Sequence, residues 1–272
     1  MSIKADFHLH SYFSGDSDTP MEQMILKGID LGLTQMCFTE HNDFDFPVTE
    51  LDPEGKFECN IDSYLYELIG LREKYKDKIK VLFGLELGMQ PHLARRHAIL
   101  TKSYDFDFII ASSHICNGKD PYYPDFYEGR SEEDAYREYF SSIIDNIKKF
   151  KNFDVYGHLD YVVRYGPNKD AAYTYEKYQD LLEEILKLLI EEEKGLEINT
   201  GGLKRGLRDL HPATAILKRY RELGGEIITV GSDAHNPENL TNEFNRAAQV
   251  LTECGFKYYT TFENRLPEFH RI

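Results

Sequence analysis

The chain has 272 residues, enough for one large domain with a sizeable core. Its 47 acidic against 32 basic residues give a net charge of −15, which repels polyanions and excludes a general nucleic-acid binder. No run approaches the ~18 apolar residues of a membrane helix, "MSIKADFHLH" lacks a secretory core, and Cys37, Cys59, Cys116 and Cys254 form no C-x-x-C pair, so a cytoplasmic protein with reduced structural thiols is expected.

Short β-type apolar runs alternate with longer helical ones, the pattern of repeated β-α units. The first strand candidate, "ADFHLH", sets His8 and His10 two residues apart, and Asp16 follows in a Ser/Gly loop. "SDTPMEQ" marks a helix start. The second strand, "QMCFTEH", closes on His41, and "SYLYELIGLREKY" predicts a helix over 63–75. "KVLFGLE" carries Glu86 and "FDFIIASSH" ends in His114. Residues 117–134, rich in Pro, Gly, Tyr and Asp, read as a long loop. "DVYGHLD" brings His158, with Asp160 two residues on. In "YQDLLEEILKLLIEEE", Leu181, Leu182, Ile185, Leu188 and Leu189 recur with the 3.6-residue period of a helix buried on one side. "GLEINT" is the sixth strand, "GG" at 224–225 a helix stop, and "EIITVGSDAH" the seventh strand, bearing Asp233 and His235. "DAHNPENL" marks one more helix start. No linker divides residues 1–272, so a single domain is expected.

Six of the seven strands therefore finish in or near a potential metal ligand. In a closed parallel barrel the C-terminal strand ends converge on one face, which is where barrel enzymes hold their active sites. Residues i and i+2 of a strand share a side, so His8 with His10, and Asp233 with His235, are each expected to aim two groups into the mouth. Imidazole and carboxylate without thiolate suit Zn²⁺, Mn²⁺ or Fe²⁺ better than Mg²⁺ or Ca²⁺. Nine ligands exceed what one open catalytic ion uses, so two or three ions are implied. His92, His97, His211 and His270 lie in helical or loop contexts and read as structural or surface residues.

The ordered set "DFHLH", "FSGDS", "FTEHND", "GLELG", "ASSH", "YGHLDYVVRYG", "LEINTGGL" and "GSDAH" resembles the PHP (polymerase and histidinol phosphatase) family, in its histidinol-phosphate phosphatase branch. The resemblance runs from residue 6 to about 265. It implies an α/β fold, a distorted (β/α)7 TIM-like barrel with the metal site at the C-terminal strand ends. It implies three divalent ions, the first on His8, His10, Glu86 and Asp233, the second on Glu86, His114 and His158, and the third on Asp16, His41 and His235. It also implies a phosphomonoesterase acting on L-histidinol phosphate in histidine biosynthesis, the alternative being another small phosphomonoester such as a nucleotide or sugar phosphate.

Two ions sharing a carboxylate bring a bridging water towards neutral pKa, which supplies a hydroxide nucleophile for attack on phosphorus. Asp160 is a candidate proton relay or a brace for a ligand imidazole, and Asp6 and Asn199 are further braces. The planar fork of Arg164 suits a phosphate oxygen pair. Some relatives carry an arginine directly after "EINT", where this chain has Gly201; Lys204, Arg205 and Arg208 are the candidates for that second basic contact. The expected partner is a small phosphorylated substrate, with no nucleic acid and no membrane.

Overall fold

The computed structural model describes residues 3–272. Seven parallel strands, β1 (Ala5–Leu9), β2 (Gln35–Asn42), β3 (Lys80–Gly88), β4 (Phe108–Ser112), β5 (Val155–Tyr156), β6 (Gly195–Asn199) and β7 (Ile228–Gly231), pair in sequence order. Among the described residues the backbone bonds that close the ring lie at its C-terminal edge: Asp233 N–H donates to the His8 carbonyl at 2.8 Å, and His10 N–H to that of Ala234 at 2.9 Å. The result is a distorted (β/α)7 barrel. Apart from the outermost Lys80 every strand residue is buried, as expected for parallel strands covered on both faces.

Helices α1 (Met21–Asp30), α2 (Ile61–Tyr75), α3 (Ala94–Ser103), α4 (Glu132–Lys149), α5 (Gln179–Glu191), the single turn α6 (Gly201–Lys204), α7 (Thr214–Glu222) and α8 (Phe244–Glu253) connect the strands. Local chemistry sets their ends. Asn60 caps α2 by accepting from Ser63 N–H, and Ser131 caps α4 by accepting from Asp134 N–H, both at 3.1 Å. The α7 stop falls at Gly224, whose φ of +99° a side chain would resist. On α5 the fully buried stripe is Leu182, Ile185, Leu186 and Leu189, while Leu181 and Leu188 are only half-buried. Each fully buried side chain of this kind contributes about 1.5–3 kcal/mol.

Three local departures from the expected pattern matter. "DAHNPENL" forms only a 3₁₀ turn at Pro237–Asn239; α8 waits until Phe244 because Thr241 and Glu243 take left-handed backbone. β5 stops at Tyr156 and β7 at Gly231, with His158 at φ +20° and Asp233 at φ +54°, so strand alternation does not govern the residues beyond them. A hairpin of β8 (Tyr258–Glu263) and β9 (Leu266–Arg271) follows the seventh strand. Its turn reaches the opposite end of the barrel, where Asp107 accepts from Asn264 N–H and Asp154 accepts from Arg265 Nε. Among the described residues no helix is long and apolar enough to cross a membrane.

Candidate metal centre

The C-terminal strand ends bring His8, His10, Asp16, His41, Glu86, His114, His158, Asp233 and His235 to one mouth. Glu86, fully buried on β3, stands at the middle. Its Oε1 lies 2.9 Å from His158 Nε2 and 3.2 Å from His114 Nε2; its Oε2 lies 3.2 Å from His8 Nε2, 2.9 Å from His41 Nδ1 and 3.6 Å from His10 Nε2. Asp233 Oδ1 is 3.5 Å from His10 Nε2 and 3.8 Å from His8 Nε2. Asp16 Oδ2 is 3.0 Å from His235 Nε2 and 3.6 Å from His41 Nε2.

These donors form one continuous cluster. The ring of His10 stacks between those of His41 and His235, with centroids 4.4 and 4.3 Å away, so His10, His41 and His235 also have ligand atoms within 4.8 Å of one another. His8–His10–Asp233, His8–Glu86–His158 and His41–Glu86–His114 are equally compact. Asp233 and His235 converge through the left-handed turn at Asp233, where a continuing strand had been expected to align them.

The donor set fits divalent cations on its own chemistry. Among the described residues, the buried His8 Nε2, His10 Nε2, His41 Nδ1 and Glu86 Oε2 face one another and have no partner in hydrogen-bond geometry. Polar atoms buried in that state carry a desolvation cost that shared cations would remove. The electrostatics agree. Burial alone would depress the His8 pKa, but Glu197, Glu86 and Asp233 raise it well above the ordinary histidine value. His114 likewise overcomes its burial through Asp43 and Glu86 and reaches about 10. At these two rings the carboxylates outweigh burial and protons compete with metal, whereas burial and the neighbouring His235 and His41 lower His10 to about 3 and burial lowers His158.

Carboxylates behind the cluster orient the rings. Glu197 Oε1 holds His8 Nδ1 at 2.6 Å, and Asp43 Oδ1 holds His114 Nδ1 at 2.7 Å, which turns both Nε2 atoms inward. Asp43 packs so closely on β3 that a Cβ at Gly88 would stand 2.0 Å from its Oδ1. Asn199 Nδ2 donates to Glu197 at 3.2 Å, and Asp6 accepts from Ser232 N–H at 3.0 Å beside β7.

Above the cluster opens a cavity of about 790 Å³, with Arg164, Lys204 and Arg205 on its lining. Arg164 is buried; its Nη2 donates to Asp233 Oδ2 at 3.1 Å and Asn199 Oδ1 at 3.2 Å, while its Nε has no partner among the described residues. Lys204 Nζ is held by Asn239 Oδ1. The lining also includes Asp120, Tyr122 and Tyr123 from the long loop and Asp52 from the segment after β2, joined where Tyr123 Oη donates to Asp52. Asp120 is buried and makes no ion pair among the described residues; burial pushes its carboxyl up to about 7.

Residues 6–201, more than half of the chain, match the PHP domain. The chain belongs to the PHP domain family. A histidinol-phosphatase of Lactococcus lactis subsp. lactis (strain IL1403) is 35% identical over 260 residues, covering 95% of this chain and 94% of that protein. A probable histidinol-phosphatase of Clostridium acetobutylicum is 33% identical over 266 residues, covering 97% and 98%. The crystal structure of the Lactococcus lactis histidinol phosphate phosphatase, complexed with zinc, L-histidinol and phosphate, matches with a TM-score of 0.88 at 34% identity, covering 97% of this chain and 98% of that one.

Two expected site residues lie elsewhere in this PHP barrel. Asp160 is buried outside the cavity lining, its oxygens taken by His211 Nδ1 at 2.5 Å and Ala213 N–H at 2.9 Å, because the turn at His158 ends the strand on which both were expected to share a side. It braces His211, which is no member of the cluster. Arg208 is also absent from the lining: the chain reverses at Gly206, φ +82°, and Arg208 Nε pairs with Asp170 Oδ2 at 3.3 Å. Glu197 and Asp43 are the braces that sequence reasoning missed. The available signal was a carboxylate inside the apolar strand "GLEIN" and an acid two residues after His41.

Proposed function

We propose that this chain, acting as one PHP-type barrel over residues 1–272, hydrolyses L-histidinol phosphate to L-histidinol and phosphate in histidine biosynthesis. One observation carries the reading: a buried imidazole–carboxylate cluster stands beside a buried arginine in a chain that matches a histidinol-phosphatase over nearly its whole length. His8, His10, Glu86 and Asp233 hold one divalent transition ion of the zinc, manganese or iron type; Glu86, His114 and His158 hold a second; Asp16, His41 and His235 hold a third. Such ions, when bound, polarise phosphoryl oxygens and lower the pKa of water towards neutrality.

Arg164, pinned by Asp233 and Asn199, presents its remaining donors to a phosphate, and Lys204 and Arg205 add positive charge at the rim. Asp120 and the neighbouring tyrosines face the alcohol portion, whose ammonium and imidazole suit a carboxylate without a cation and aromatic faces. The reading includes a cytoplasmic location and a small phosphorylated partner, in keeping with a net charge of −15 that repels polyanions. Arg164→Ala is expected to lower kcat/KM by roughly 10-fold or more, the loss of a charge-assisted contact worth ~1.5–3 kcal/mol. Unchanged kinetics would return Arg164 to a purely structural ion pair with Asp233.

Cations bind any phosphate, so discrimination must come from groups facing the alcohol. Phosphate release measured across a panel with Zn²⁺ or Mn²⁺ added is expected to give a kcat/KM for L-histidinol phosphate at least ~100-fold above aryl phosphates, sugar phosphates and nucleotides, or about 2.7 kcal/mol. A nucleotide or sugar phosphate leading that ranking would overturn the biosynthetic assignment and leave the phosphatase chemistry standing.

A further inference from the structure

Glu40 on β2 is fully buried and, among the described residues, has no lysine or arginine partner; its carboxylate touches neither the cavity nor any candidate ligand side chain. Its oxygens are occupied by serines. Ser11 donates its N–H to both, at 3.1 and 3.0 Å, and its hydroxyl to Oε1 at 2.5 Å; Ser14 donates its hydroxyl to Oε2 at 2.6 Å. Burial raises the Glu40 carboxyl above its ordinary value, and these donors, which favour the anion, offset part of that rise. Ser14 Oγ also lies 3.1 Å from His10 Nδ1 and accepts the His41 backbone N–H at 3.0 Å.

An ionised carboxylate only accepts, so the Ser14 proton points at Glu40. The Ser14 oxygen then has only lone pairs for His10, and His10 Nδ1 must carry the ring proton. We propose that Glu40 is a positioning residue which, relayed through Ser14, fixes His10 as its Nδ1–H tautomer, so that the Nε2 lone pair faces Glu86 and Asp233 and is available to a divalent cation. The inference rests on reading the cluster as a metal centre. It gives a purpose to the unpaired His10 Nε2 and to a buried charge that packing alone does not explain.

Glu40→Gln keeps the shape and breaks the relay. The two oxygens share the Ser11 N–H and each takes one serine hydroxyl, so the amide can stand either way round, and one of its orientations sets the NH2 group against Ser14. The Ser14 hydroxyl must then turn its proton to His10 Nδ1, moving the ring proton to Nε2 and closing that ligand position. Ser14→Ala removes the relay without touching Glu40. Two measurements test this. In metal-free protein, long-range ¹H–¹⁵N correlations should report His10 as Nδ1–H in the wild type and as a mixture with Nε2–H in Glu40→Gln and in Ser14→Ala. Titration with Zn²⁺ against a chelating indicator should give close to three ions per wild-type chain, with one of them bound ~10–100-fold more weakly in each variant. A His10 signal from Nδ1–H alone and a wild-type Zn²⁺ isotherm in either folded variant would overturn the proposal. A wild-type chain that binds no Zn²⁺ would instead sink the metal-centre reading, while the tautomer measurement would still decide the relay.

Discussion

Glu86→Gln is expected to reduce kcat by at least ~10³-fold in a protein that still folds, the scale of losing a principal electrostatic contact in a reaction centre. Five of the six clustered histidines lie within 3.6 Å of this one carboxylate, and Ser112 donates its hydroxyl to Oε1 at 2.7 Å. The five imidazoles thereby share a single negative charge. An amide removes that charge and turns an N–H₂ donor towards ring nitrogens whose lone pairs are wanted for cations. Burial would raise the Glu86 pKa, yet His8, His41 and His114 hold it well below the usual carboxylate range, a measure of how strongly the surroundings favour the anion. The check is kcat together with metal content and circular dichroism. Near-wild-type turnover in a folded Glu86→Gln protein would contradict a shared ligand role and move the bridging function to Asp233.

The order of the barrel was legible because its strands obey one simple rule: parallel strands buried on both faces read as short apolar runs, and helices of longer period separate them. The C-terminal hairpin escaped because its outer strand is exposed along nearly its whole length and mixes proline, glutamate and arginine. Its sharp turn, with Asn264 at φ +50° and Arg265 at φ +65°, does not use the Asn-Gly signature that marks such hairpins. The α8 start was misplaced for a related reason. A proline after an asparagine signals a helix, but backbone signs at Thr241 and Glu243 cannot be read from residue type.

The candidate ligands were legible for a different reason: histidine is scarce enough that six falling at corresponding strand ends stand out. The braces were not, since a buried glutamate or aspartate is identified by what it faces. Glu197 and Asp43 lie within the expected motifs, yet nothing in one sequence pairs Glu197 with His8, 189 residues away. Asp160 shows the converse error. The i, i+2 rule holds only while a strand continues, and His158 leaves the strand before Asp160 is reached. The arginine missing at Gly201 opened a search among nearby cations, and only the structure shows that Lys204 and Arg205 reach the cavity lining while Arg208 does not.

Glu197→Ala separates orientation from charge at the cluster. The carboxylate accepts from His8 Nδ1, from His158 N–H at 2.8 Å and from Asn199, and it is enclosed so tightly that a Cβ at Gly231 would stand 2.3 Å from its Oε1. Truncation leaves the His158 N–H without a partner at the turn that aims His158 inward, and frees the His8 ring to rotate. Metal-free protein is expected to lose about 3 kcal/mol of stability, since each buried donor left unpaired costs ~1–3 kcal/mol and the three are not independent. The urea midpoint should fall with m unchanged. Zn²⁺ affinity should drop ~10–100-fold, because His8 would have to be ordered on binding. Saturating metal should then restore much of the turnover, as every candidate ligand is still present. For Glu86→Gln the same addition should restore nothing, because there the ligand itself is gone. Equal failure of both variants at saturating Zn²⁺ would show that Glu197 does more than orient His8 and His158.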